Sequence, residues 1–136
     1  MSIHGIGIDV VEISRIAAAI ERHGETFLAR IFTAAERAYC AAHRAPEMHF
    51  AARFAAKEAV AKALGTGIGE HANWLDLEVS RTVTGAPVLR LHGAAAEFAK
   101  QHGITAVQIS LTHTKDYAAA NAIALGPLSP AALPAI

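Results

Sequence analysis

A chain of 136 residues and 14.2 kDa has room for one domain and one core. Its 12 Lys+Arg and 12 Asp+Glu give a formal net charge of +0, which argues against broad binding to nucleic acid or to an anionic membrane. A single cysteine, Cys40, excludes an internal disulfide framework and fits a reducing, cytoplasmic setting; among alanines it reads as a packed, inert thiol.

In chain order, Ile3 to Asp9 reads as a short apolar strand carrying Gly5 and Gly7. Val11, Ile13, Ile16 and Ile20 recur at helical spacing, with Gly24 as the stop. Thr33-Ala-Ala-Glu36 has the form of a capping box and predicts a second helix. Pro46 separates it from a long alanine-rich helix around Met48 to Leu64, closed by Gly65. The period then changes: Leu75, Leu77 and Val79 alternate with polar residues, Thr84-Gly85-Ala86 signals a turn, and Pro87 to Leu91 returns. Ala94 to His102 reads as a short helix before Gly103. Val107, Ile109 and Leu111 alternate again, a polar loop spans His113 to Asp116, and Tyr117 to Leu125 forms a last apolar strand.

That order predicts an α+β fold with antiparallel hairpins. The chain has no charged residue from Tyr117 to Ile136, about the length of a bilayer span, but Gly126-Pro127, Pro130 and Pro134 break the run. The expectation is a domain over 1–125 followed by an irregular tail over 126–136, with no membrane span. The N-terminus lacks a basic region ahead of an apolar run, so no secretory signal is expected there.

Chemistry concentrates in Arg53-Phe-Ala-Ala-Lys57-Glu58-Ala-Val-Ala-Lys62-Ala-Leu-Gly65-Thr66-Gly67. Residues four apart share a helix face, pairing Arg53 with Lys57 and Glu58 with Lys62. Cations suit phosphate oxygens, and a hard carboxylate suits Mg²⁺. Glu58 could equally be an exposed helix pair with Lys62. Asp9, just after an apolar strand, could mount a ligand or cap the following helix. His113 could bind a ligand or sit idle in a loop. Gly5-Ile-Gly7 lacks the third glycine of a dinucleotide fingerprint, and Gly65-Thr66-Gly67 lacks the lysine of a Walker loop. The eight histidines lack zinc-site spacing.

Taken together, Gly5-Ile-Gly-Ile-Asp9-Val-Val-Glu12-Ile-Ser-Arg15-Ile, the Arg53 to Ile68 stretch and Ser110-Leu-Thr-His113-Thr-Lys-Asp-Tyr-Ala resemble the holo-[acyl-carrier-protein] synthase family, the small class of 4′-phosphopantetheinyl transferases. Phe32 to Glu36 and Leu75 to Val79 are similar to further family segments, in order. The resemblance implies transfer of the 4′-phosphopantetheine arm of coenzyme A to a serine of apo acyl carrier protein in fatty-acid synthesis. It implies Mg²⁺ on Asp9 and Glu58, phosphate contacts from Arg53, Lys57 and Lys62, and a nucleotide cradle at Gly65, Thr66 and Gly67. His113 would line the site, and Arg15 and Arg22 would face the acidic carrier. The family is trimeric, with its site between subunits. The serine's proton acceptor stays open among Glu58, Asp9 and a metal-bound water. Larger relatives carry a further acid where this chain has Val11, and many members have serine where it has Thr112. Two other readings compete: the same chemistry on a specialised carrier, and a silent coenzyme A-binding module, against which the two acids argue.

Overall fold

The computed structural model describes residues 1–127. Strand β1 (Ser2–Glu12) is followed by α1 (Ile13–His23), α2 (Glu25–Ile31), α3 (Ala34–Ala41) and α4 (Pro46–Leu64). A 3₁₀ turn (Trp74–Asp76) leads into β2 (Leu77–Arg81) and β3 (Pro87–Leu91); α5 (Gly93–Gln101), β4 (Ala106–His113) and β5 (Tyr117–Gly126) complete it. One antiparallel sheet has the order β1-β5-β4, and β2 pairs with β3 in a separate hairpin. The expected α+β class and the expected element order are both observed.

The core is organised around α4. Ala51, Ala55, Ala56, Ala59, Ala61 and Ala63 are buried, so small side chains let this helix lie close to its neighbours on several sides. It crosses β1 at the two glycines: a Cβ built on Gly7 would overlap the Ala59 carbonyl oxygen, and one on Gly5 the Ala63 carbonyl oxygen. Ala118, Ala120, Ala122 and Ala124 of β5 fill the same layer. Pro46 does not merely precede the helix; it occupies the first turn, where its missing N–H costs nothing. Gly65 ends the helix in the left-handed region, φ 82°. The predicted capping box at Thr33 and Glu36 is complete.

Four local expectations change. β1 runs on to Glu12, paired with Tyr117, so Val11 belongs to the strand and α1 starts at Ile13, whose N–H donates to the Asp116 carbonyl at 2.9 Å. Asp9 therefore sits inside a paired strand opposite Ala120, and the helix-cap reading of it falls. A helix, α2, follows Gly24 directly with no spacer. Leu75 lies in the 3₁₀ turn and not in the strand. Trp74 in that turn stacks on Phe54 of α4, centroids 5.0 Å apart and planes 28° apart. β5 ends at Gly126; the tail expected beyond it lies outside the described residues from position 128 on. Among the described residues no helix is long and apolar enough to cross a membrane.

Candidate active site

Asp9, Glu58 and Lys62 come together where α4 crosses β1. The glycines at 5 and 7 bring the helix down onto the strand, and Asp9, two residues further along the same face, meets the side chains that α4 turns that way. Lys62 Nζ donates to the Ile8 carbonyl at 2.9 Å and lies 3.4 Å from Asp9 Oδ1. It thus reaches across to the strand and does not form the simple pair along its own helix with Glu58. Burial raises the Glu58 pKa above the usual carboxylate range, the Asp9 charge raises it further, and Lys62 offsets this in part. Two carboxylates that repel each other beside one shared ammonium make a set that a divalent cation would relieve. Hard oxygen donors in this number fit Mg²⁺, which keeps several of its waters. No group of three or more His, Cys, Asp or Glu able to hold a metal occurs among the described residues.

The glycine-rich loop lies beyond Lys62. The N–H of Gly65 donates to Lys62 O, and those of Thr66 and Gly67 donate to Ala61 O, at 3.0, 3.1 and 3.1 Å. These amides close the end of α4, so the loop has no free N–H row for a phosphate. What it offers is open surface: a Cβ at Gly65, Gly67 or Gly69 would meet nothing within 4 Å.

Arg53 and Lys57 point elsewhere. At 3.6 residues per turn their face lies about 140° round the helix from that of Glu58 and Lys62, and Arg53 is about 14 Å along the axis from Lys62. Lys57 corrects the expectation of a phosphate contact. Its side chain is wholly buried, with Nζ 2.8 Å from Glu36 Oε1 and donating to the Trp74 carbonyl at 2.8 Å. No surface is left for a ligand. Burial lowers its pKa, and Glu36 counteracts this.

Arg53 is also buried, 1 % exposed, yet among the described residues no carboxylate pairs with it. It donates to the His49 carbonyl, its guanidinium lies 4.2 Å from the centroid of the Tyr39 ring, and its Nε has no partner. It opens onto a cleft of about 270 Å³ lined by His49, Arg81, Thr112 and His113. Burial lowers the His49 pKa, and His43, Arg53, His113 and Arg81 add to that. This cleft is cationic, and its described lining holds no carboxylate. Arg81 and His49 were not singled out in the sequence; Arg81 stands in a hairpin and His49 in a helix, neither with a local motif. Arg15 and Arg22 are exposed on α1, as a docking role requires.

The chain belongs to the 4′-phosphopantetheinyl transferase superfamily, whose profile matches residues 5–122. Within it, the chain is similar to the holo-[acyl-carrier-protein] synthase of Desulforudis audaxviator, 52 % identical over 123 residues, which cover 90 % of this chain and 93 % of that one. It is 50 % identical to the Chlamydia pneumoniae enzyme of the same name over 125 residues, covering 92 % and 99 %. Among solved structures, holo-[acyl-carrier-protein] synthase from Neisseria meningitidis superposes with a TM-score of 0.86 at 32 % identity, covering 91 % of this chain and 99 % of that one. The Helicobacter pylori enzyme in complex with coenzyme A gives 0.79 at 32 % identity, covering 88 % and 99 %.

Proposed function

We propose that this chain transfers the 4′-phosphopantetheine group of coenzyme A to a serine hydroxyl of apo acyl carrier protein, releasing adenosine 3′,5′-bisphosphate, in the cytoplasm and for fatty-acid synthesis. The observation that carries the reading is the meeting of Asp9, Glu58 and Lys62 at one crossing of helix and strand. Asp9 and Glu58 would hold Mg²⁺, which would supply charge neutralisation at the diphosphate and at the leaving bisphosphate. Lys62, half exposed and kept in place by the Ile8 carbonyl, offers its remaining N–H donors to a phosphate oxygen. The open surface at Gly65 and Gly67 accepts the nucleotide end by shape.

Arg53 and His113 complete the anion site from a second subunit. The opposed faces of α4 support this, since the two groups do not share one surface of a single chain. So does the outer face of β1, where Ile6, Ile8 and Val10 are 67 %, 70 % and 64 % exposed, an apolar stripe that a homotrimer would cover. Arg15 and Arg22 meet the acidic carrier, giving steering more than affinity.

The test is the mass of purified apo carriers, from fatty-acid and specialised pathways, after incubation with the chain, coenzyme A and Mg²⁺. A phosphopantetheine adduct on the fatty-acid carrier is expected, and its loss without Mg²⁺. Unmodified carriers together with bound coenzyme A would leave a binding module in place of an enzyme.

A further inference from the structure

Lys57 and Glu36 form a buried ion pair that touches neither the Asp9 group nor the Arg53 cleft. Both side chains are 0 % exposed. The Glu36 carboxylate accepts three donors from three elements: Lys57 Nζ of α4, the Thr33 N–H at 2.8 Å, and the Val79 N–H of β2 at 2.8 Å. Thr33 in turn donates through Oγ1 to Glu78, which lies 3.0 Å from His92 Nε2. The Lys57 ammonium donates a second time, to the Trp74 carbonyl. One polar network therefore ties α4 to α3, the β2–β3 hairpin and the 3₁₀ turn.

A buried ion pair adds little net stability over apolar side chains of the same volume, so stability alone does not explain it. Its geometry suggests another role. Lys57 and Glu58 are consecutive, about 100° apart around α4. The apolar contacts that hold α4 in rotation, Phe50 on Phe32 and Phe54 on Trp74, lie in its first half, N-terminal to Glu58. Gly5 and Gly7 fix its height above β1 but only through backbone contact. The Lys57 tether adds a polar constraint to these contacts at the residue next to Glu58.

We propose that Glu36, acting through Lys57, is a positioning residue that fixes the rotation of α4 and so the aim of the Glu58 carboxylate at its cation. This rests on the reading of Asp9 and Glu58 as the metal ligands. It assigns no contact with substrate to either member of the pair.

The test follows Mn²⁺ binding by the loss of its free paramagnetic signal, in the presence of coenzyme A, alongside thermal unfolding. The variants are Glu36→Gln, Lys57→Met and the double substitution. Each single change leaves one buried charge without a partner, and its melting temperature should fall by about 10 °C or more. The double change removes both charges, and its melting temperature should recover. Its Mn²⁺ dissociation constant should nevertheless stay roughly tenfold to a hundredfold weaker than wild type, since the tether is gone. Recovery of both properties in the double variant would reduce the pair to a packing element and overturn the proposal. If the single variants do not fold, the double variant decides alone. An Asp9→Asn chain that binds Mn²⁺ as wild type does would instead refute the metal site itself, and so separates the two failures.

Discussion

The Lys62 ammonium sits 3.4 Å from Asp9 Oδ1 while donating to the Ile8 carbonyl at 2.9 Å, so a helix cation is anchored by strand backbone and only partly committed to the strand's carboxylate. Lys62→Met should lower kcat/KM for carrier modification about a hundredfold or more, the scale seen when one donor to developing charge is removed. Stability should change by less than about 1 kcal/mol, because the side chain is half exposed and the pair is screened. Carrier-modification kinetics beside a urea titration check both, and a stable variant with full turnover would contradict the role.

Asp9→Asn and Glu58→Gln should each abolish transfer. Glu58→Gln should not lower the melting temperature, since it removes a half-buried charge that Asp9 opposes. Mass spectrometry of the carrier and calorimetry of the variant read the two effects. Full activity in either variant would take that residue out of the metal site.

Gly7→Ala places a methyl group where the Ala59 carbonyl oxygen already lies. The helix must lift from β1, at a cost of about 2–3 kcal/mol. Metal affinity should fall with it, because the same crossing aligns Glu58 with Asp9. Denaturant unfolding and Mn²⁺ titration should show the two losses together.

Hydrogen bonds from His92 and then Thr33 hold the Glu78 pKa below its usual 4.5. A depressed carboxylate contributes stability that is fully present above the unfolded-state value and is lost as pH falls through the folded-state value. The stability gap between wild type and Glu78→Gln should therefore be open at pH 6 and close below about pH 4.5. Urea midpoints across that range measure it, and a gap independent of pH would refute the assignment.

Ile6 lies on the outer face of β1, away from Asp9. If the proposed homotrimer covers this face, Ile6→Glu should place a charge in its interface, shifting sedimentation from three chains to one and lowering turnover. An active monomer would contradict a site shared between chains.

Much of the frame was legible because its signals are local. Thr33 and Glu36 announce a helix start, Gly65 a helix end, and Thr84-Gly85-Ala86 a hairpin, each through chemistry confined to a few residues. α2 escaped because it is seven residues long and enters straight from the cap of α1, with no capping side chain. Leu75 misled because a 3₁₀ turn can continue the alternation of the strand it precedes. Within the site, Lys62 lies against Asp9, and both charges act on Glu58. Lys57 was misread for a physical reason: a lysine beside other charges looks exposed, and its partner Glu36 lies on another helix that the sequence marks only as a cap. Arg53 was expected to meet a phosphate, and nothing local revealed its burial against Tyr39.

Trp74 is the chain's single tryptophan, and it stacks on Phe54 while its carbonyl receives the Lys57 ammonium. Its indole is therefore an intrinsic fluorophore sited at the joint between the long helix and the 3₁₀ turn. Any event that turns or lifts that helix, whether coenzyme A arriving or a neighbouring chain docking, alters the emission without a dye, so this enzyme carries its own optical gauge of assembly.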